Sequence, residues 1–293
     1  MGKKNQVEWK SELDEDALKL AQIDYGAKFI ATIDHKKRPH ITFILSNRAK
    51  TSKQLVWGQF VEGTSKKNVL NDPKQGILIM TAEAPFKFVQ MKVELEEIKK
   101  EGEDIEYFSR TEFYRYNCYT NVHTAYYNSI KAAIGVRNLS ILGILKGILI
   151  NLIGTGIAKS KNSEKKLPNL GYKLFNGPLN PKFIAYIDKT DGFPIILPCF
   201  QIRAPDYSKI IFPLSQFKSE LNSFQKGDQL AVYVMNFEPI MLHINGKFLG
   251  YKKYRGIKYG LIDIEEVYNP MPPLSGIIYP ELQTRPKVQV FTL

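Results

Sequence analysis

The sequence predicts a mainly β protein with a few helices, built as two similar barrel-like units in tandem and joined by a helical connector. Three observations carry this. Short β-branched and aromatic runs are punctuated by turn residues, with 17 Phe, 16 Tyr, 20 Gly and 16 Pro in 293 residues. A heptapeptide recurs: 28–34 reads Lys-Phe-Ile-Ala-Thr-Ile-Asp and 182–188 reads Lys-Phe-Ile-Ala-Tyr-Ile-Asp. Between the copies lies an apolar stretch, 139–158, made largely of Leu and Ile. The chain is long enough for two domains, and 44% hydrophobic with 24% charged residues excludes a disordered or fibrous class.

The repeat extends beyond the heptapeptide. A polar turn and a proline follow each copy, Pro39 and Pro194, and a constant offset then aligns Arg48-Ala49 with Arg203-Ala204, Met80 with Met235, Glu83 with Glu238 and Lys92 with Lys247. At a slightly different offset, Tyr116-Asn117 and Tyr127 align with Tyr268-Asn269 and Tyr279.

The elements follow in order. Leu13, Ala17, Leu20 and Ala21 share one face of a helix over 11–24, with Ser11 and Asp14 in a capping-box-like arrangement. Strands are expected at 29–33, 41–45, 55–57, 76–80 and 88–93, with a short helix at 64–70 capped by Thr64 or Ser65. The second copy gives strands at 183–187, 195–201, 209–212, 230–234 and 240–244, and a helix at 215–224. Five or six antiparallel strands with one inserted helix make a small closed or partly closed barrel. The expected division is 1–128, a connector over 129–181, and 182–293.

The connector has three readings. As a membrane span, 139–158 has the needed length, but Lys146 at its centre costs about 2.5–3.5 kcal/mol and spanning would part the repeats. As an interfacial helix it would lie on anionic lipid, helped by Lys159, Lys161, Lys165 and Lys166. As a helix covering the barrels it would present Ser140, Gly143, Gly147, Asn151 and Gly154 on one narrow face, before a polar linker at 159–166. The last is preferred.

The net charge of +12 points to an anionic partner: a phosphate-bearing cofactor, a nucleic acid or an anionic membrane. Residues 63–73 read Gly-Thr-Ser-Lys-Lys-Asn-Val-Leu-Asn-Asp-Pro, a helix whose first turn holds two hydroxyls and two lysines. The free N–H groups and positive end of a helix start favour phosphate. An ordinary capped helix with a solvated lysine pair accounts for the same residues. The glycine spacing of a Walker A loop is absent.

With this motif the chain resembles the pyridoxamine 5′-phosphate oxidase-like FMN-binding split-barrel superfamily. The resemblance covers 27–73 best: Phe29-Ile30-Ala31-Thr32, Arg38-Pro39-His40, a strand ending Trp57-Gly58, and Thr64-Ser65-Lys66-Lys67-Asn68-Val69 with Asp72-Pro73. It is most similar to small FMN-binding proteins whose phosphate motif reads Lys-Thr-x-x-Asn-Val or -Ile. Ser65 matches the Thr and Asn68 the Asn, whereas Thr64 replaces the Lys, leaving Lys66, Lys67 or Arg48 to supply charge.

The resemblance implies two FMN-binding split β-barrels in tandem, a fused pseudo-dimer with flavin in the groove between them. It further implies that Ser46, Asn47, Arg48, Trp57, Gly58, Gln59 and Phe60 line the ring and ribityl chain, although each also suits a barrel core. The second motif reads Ser219-Glu220-Leu221-Asn222-Ser223-Phe224, without lysine and with a carboxylate that repels phosphate, so one flavin site per chain is expected.

Other constellations are weaker. His35, His40, His123 and His243 lack metal-ligand spacing, and no Ser–His–Asp order or carboxylate pair stands out. Arg115, Tyr116, Asn117, Tyr119, Tyr126 and Tyr127 suit either a groove wall or an aromatic core strand. Cys118 and Cys199 exclude a disulfide scaffold and read as free thiols. Met1-Gly2-Lys3-Lys4 leads into acidic residues and not an apolar run, so no signal peptide and a cytoplasmic location are expected. The leading functional expectation is an FMN-dependent oxidoreductase with a small-molecule or protein electron partner, monomeric or a homodimer. The alternative is a non-catalytic flavin- or haem-binding protein, open to peripheral membrane contact. Nucleic-acid binding is not expected, because the lysines are dispersed.

Overall fold

The structure, a computed structural model, describes residues 8–59, 63–111, 121–157, 164–236, 238, 240–271 and 275–280. The first helix, α1 (Glu15–Ala21), begins where Asp14 Oδ1 accepts the Ala17 N–H at 3.0 Å. Asp14 is the cap in place of the expected Ser11. The expected face of Leu13, Ala17, Leu20 and Ala21 is buried.

The first sheet comprises β1 (Ala27–Ile33), β2 (Pro39–Phe43), β3 (Asn47–Ala49), β4 (Gln54–Gln59), β5 (Lys74–Met80), β6 (Lys87–Lys99) and β7 (Thr124–Asn138). Two helices interrupt it, α2 (Thr64–Asn71) and α3 (Glu103–Arg110). All pairs are antiparallel and the order is β2-β1-β5-β6-β7-β4-β3. The outermost strands, β2 and β3, are joined only by 44–46. So short a connection forces the sheet to curl until its two edges approach. The curl encloses a core of Ile30, Leu55, Trp57, Ile77, Ile79, Val89 and Met91, and α1 packs against it.

After β7 come α4 (Ile141–Gly154), a 3-10 turn (Thr155–Ile157) and α5 (Asn169–Asn176). The second sheet contains β8 (Lys182–Ile187), β9 (Pro194–Pro198), β10 (Lys209–Pro213), β11 (Gln229–Met235), β12 (Met241–Tyr254), β13 (Ile257–Asn269) and β14 (Gly276–Tyr279), with α6 (Lys218–Leu221) between β10 and β11. Its order is β10-β13-β12-β11-β8-β9, with β14 added on β13. Read from the other end, this is the first sheet's order with β3 reduced to a bridge between Arg203 and Ile211.

Three expectations change. The helix expected at 215–224 is reduced to the four residues of α6. The sequence places 129–138 in the connector, whereas β7 continues to Asn138 and pairs along β6. Ala132, Ala133 and Gly135 carry little intrinsic strand preference, and pairing overrides it. The sequence also gives no strand at 257–269, where β13 forms a long hairpin with β12. Its turn uses Arg255 at φ 47 and Gly256 at φ 77, a two-residue connection with both residues left-handed.

A third core lies between the sheets. Phe29, Ala31, Ile41, Leu78 and Phe88 from the first meet Phe183, Ala185, Ile196, Phe200 and Tyr233 from the second. The rings of Phe29 and Phe183, one position of the repeated heptapeptide, lie 4.0 Å apart. Contact between a residue and its own counterpart is what a two-fold interface produces. Polar contacts cross the seam from both sides: Gln90 donates to the Ile196 carbonyl and Asn245 to the Pro39 carbonyl. At Gly76 the backbones close up so far that an added Cβ would sit 2.0 Å from the Pro194 oxygen.

Candidate functional site

The helix α2 stands at the seam. Its cap, Gly63, is extended and offers no side chain to the first N–H groups. The first turn, Thr64, Ser65, Lys66 and Lys67, carries no carboxylate. Two side chains pin the helix to the sheet. The Ser65 hydroxyl lies 2.5 Å from that of Thr42 on β2, and Asn68 Nδ2 donates to Thr32 Oγ1 on β1 at 2.9 Å. Thr64 donates to the Tyr268 hydroxyl of β13 at 3.2 Å, so the second repeat closes over the helix start. The Lys66 ammonium is enclosed and Lys67 is exposed.

The remaining predicted residues are spread more widely. Trp57 faces the first core, stacked on Tyr126 at 3.8 Å and donating to Gln75 Oε1 at 3.0 Å. Gly58 faces the other way, against Val122 and Phe108. Ser46 donates to the Gly58 carbonyl, and Gln59 accepts from the Tyr126 hydroxyl. Asn47 is fully buried and neither amide atom has a hydrogen-bond partner. Arg48 stacks on Tyr107 at 4.0 Å, and its charge bears on Lys28, whose pKa falls to about 8 chiefly through burial. Lys28 and Thr32 are four residues apart on β1, roughly 13 Å by strand rise, so Arg48 stands away from α2. Phe60 and the 112–120 segment, with Arg115 to Tyr119, lie outside the described residues.

The corresponding corner of the second repeat is built differently. Glu220 of α6 aligns in sequence with Ser65 of α2, and the strand that faces it is β7, the counterpart of β13, through Arg137 near its end. Arg137 binds Glu220 at 3.0 Å and lies over the ring of Phe217. One corner thus contains its own anion and cation. The other presents the Thr64 hydroxyl to a neutral tyrosine and carries two lysines in the same turn.

Beside the α2 corner sit groups that sequence reading passes over. Arg38 binds Asp34 at 2.8 Å and, from β13, Glu266 at 3.0 Å. These carboxylates occupy the Arg38 charge, and the adjoining open cleft of about 480 Å³ includes Lys36, Glu265 and Glu266, a mixed lining unsuited to phosphate. The rings of His40 and His243 lie 4.4 Å apart across the seam, with Tyr268 edge-on to both. Burial is the main cause that lowers the His40 pKa to about 4 and holds His243 well below its usual value. His35 and His123 are exposed elsewhere. Among the described residues no three His, Cys, Asp or Glu side chains gather as metal ligands. Cys199 is buried and free, and burial raises its pKa, while Cys118 lies outside the described residues.

The phosphate end of FMN fits these residues in part: an uncapped helix start carries two hydroxyls and two lysines in its first turn. The ring end does not fit at Trp57 and Gly58, which are covered by protein.

No protein-family model and no curated protein matches the chain. Among solved structures it is similar to an FMN-binding protein from Syntrophomonas wolfei subsp. wolfei at 15% identity and a TM-score of 0.36, covering 43% of this chain and 86% of that one. It is similar to a candidate pyridoxamine 5′-phosphate oxidase from Lactobacillus delbrueckii at 17% identity and a TM-score of 0.33, covering 42% and 94%. An F420 reductase matches at 12% identity and a TM-score of 0.34, covering 41% and 97%. These likenesses are to FMN-binding and pyridoxamine 5′-phosphate oxidase-like proteins, each over a little more than two-fifths of the chain.

Proposed function

We propose that the chain is a flavin-binding protein made of two split barrels fused as a pseudo-dimer, with one FMN at the seam and its phosphate on the first turn of α2. The barrels correspond to 1–138 and 182–293, and the connector keeps α4 and α5. The observation that carries the reading is the difference between the two corners. At α6 the protein supplies Glu220 and neutralises it with Arg137. At α2 the same frame offers N–H groups, the Thr64 hydroxyl, Lys66 and Lys67, and no anion in the turn.

When bound, the flavin supplies hydride or electron transfer, so the chain need not provide an acid or base. Its residues position. Ser65 and Asn68 fix the helix start on the sheet, and Tyr268 holds Thr64 in one orientation from the opposite repeat. Lys66 and Lys67 offset the phosphate charge. The redox partner would be a small molecule or a protein.

Flavin titration by fluorescence quenching tests the reading. Charge-assisted hydrogen bonds are worth roughly 1.5–3 kcal/mol each, so Lys66→Ala/Lys67→Ala weakens FMN binding by roughly tenfold or more. Glu220→Gln leaves it unchanged, and the wild type binds one FMN per chain. A ratio of two, or unchanged affinity in a double variant that unfolds normally, refutes the placement.

A further inference from the structure

We infer that the outer face of α4 is a docking surface for an anionic lipid bilayer, on which the helix lies flat. The inference is independent of the flavin reading.

The orientation of α4 is fixed from within. Its inner stripe of Gly143, Gly147, Asn151 and Gly154 packs on the second repeat. Cβ atoms added at Gly147 and Gly154 would meet Gln201 at 2.7 Å and Tyr259 at 2.4 Å. Asn151 donates to the Gln201 carbonyl, and the Tyr259 hydroxyl donates to the Ile150 carbonyl at 2.7 Å. The helix cannot turn to hide its other side without breaking these contacts.

That other side is apolar and open. Ile141, Leu142, Leu145, Leu149, Leu152 and Ile153 form one outward stripe, with Leu142 79% and Leu149 64% exposed. Single exposed leucines are ordinary, whereas a contiguous stripe of six marks an interaction surface. The 14 residues of α4 rise about 21 Å, short of a hydrocarbon core of about 30 Å. Among the described residues no helix is long and apolar enough to cross a membrane. Lying in the interface suits the helix length.

Charge selects the lipid. The sequence from 139 to 163 holds Lys146, Lys159 and Lys161 and no carboxylate. The β12–β13 hairpin brings exposed Lys252, Lys253 and Arg255 to the far end of the helix, where an added Cβ at Gly156 would sit 2.6 Å from the Tyr254 hydroxyl. Two nearby carboxylates of the second repeat, Glu220 and Asp263, are paired with Arg137 and Lys166. An apolar stripe flanked by cations is the pattern of an interfacial helix on anionic lipid. A second copy of the chain is a poor occupant, because its α4 carries Lys146 and no carboxylate to answer that charge.

The test is co-sedimentation of the full chain with vesicles of phosphatidylcholine alone and of phosphatidylcholine with phosphatidylserine. Binding is expected to the mixed vesicles and to fall as salt rises. Leu142→Glu/Leu149→Glu should weaken it by roughly tenfold or more, and Lys253→Glu/Arg255→Glu should remove most of the preference for phosphatidylserine. Thermal unfolding followed by tryptophan fluorescence should be unchanged in both variants, since all four side chains are exposed. Failure of the wild type to sediment with the mixed vesicles overturns the inference. So does a stable dimer that Leu142→Glu/Leu149→Glu dissociates, which would make the face a self-interface.

Discussion

Acid should loosen the seam through His40 and His243, and the size of the effect follows from their burial. Both rings are buried, and neither His243 nitrogen has a hydrogen-bond partner. Desolvation holds both neutral; Arg38 acts in the same direction on each and Asp34 opposes it at His40. A group whose folded pKa lies below its unfolded value near 6.5 costs nothing at neutral pH, and its penalty grows as pH falls. At pH 5 the unfolded chain has bound the proton while a folded histidine with a pKa of about 4 has not. Relative to pH 7 the linkage amounts to about 2 kcal/mol per histidine, and about 4 kcal/mol for the pair. The value for His243 hardly depends on how far below 5 its folded pKa lies. Urea unfolding at pH 7, 6 and 5, followed by tryptophan fluorescence, measures the total. His243→Phe isolates its share, because neither ring nitrogen makes a hydrogen bond and none is lost. The variant should lose about 2 kcal/mol less than the wild type between pH 7 and pH 5. An equal loss in both proteins would refute the argument.

Two further outcomes test the seam without titration. Gly76→Ala places a methyl 2.0 Å from the Pro194 oxygen, a backbone atom that cannot rotate away, so the variant should lose about 3 kcal/mol in urea unfolding. Arg38→Met leaves the Asp34 and Glu266 carboxylates, 7% and 12% exposed, without their shared cation, at a cost of about 3–5 kcal/mol. Adding Glu266→Gln should cost less than the sum of the two single changes, since the pair acts as a unit across the repeats.

The sequence was legible where a signal repeats or a local rule applies. The heptapeptide located β1 and β8, and with them Phe29 and Phe183 at the centre of the shared core. Local chemistry located α2 and its lysines, but the cap it assigned to Thr64 or Ser65 falls on Gly63, which offers no side chain. It was silent on β13, where Lys252, Lys253, Arg255 and Lys258 interrupt the apolar alternation and strand pairing decides the conformation. The α2 corner was half legible. Thr64 and Tyr268 are 204 residues apart, and only the curl of both sheets and their near two-fold packing bring the hydroxyls together. Trp57 illustrates the opposite limit: period-two alternation leaves open which face is the core, and the Gln75 bond with the Tyr126 stack decides it.

A fused pair of repeats can do what a homodimer cannot, which is to change one corner and keep the other. In a symmetric dimer, a glutamate at the Ser65 position would appear at both helix starts. Here Glu220 appears at one, and Arg137 faces it at 3.0 Å. That pair shows that the frame accommodates an anion at a helix start on the seam, provided a cation answers it. At the α2 corner the residue that β13 presents to the helix start is Tyr268, which carries no charge. Any anion bound there must draw its positive charge from the helix itself, from Lys66 and Lys67 and the dipole, because Asp34 and Glu266 engage Arg38 and Arg48 is turned toward Tyr107. Affinity for a phosphate at this corner should therefore respond to the two lysines and to ionic strength. The Tyr268→Phe change, which removes only the hydroxyl that orients Thr64, should act weakly by comparison.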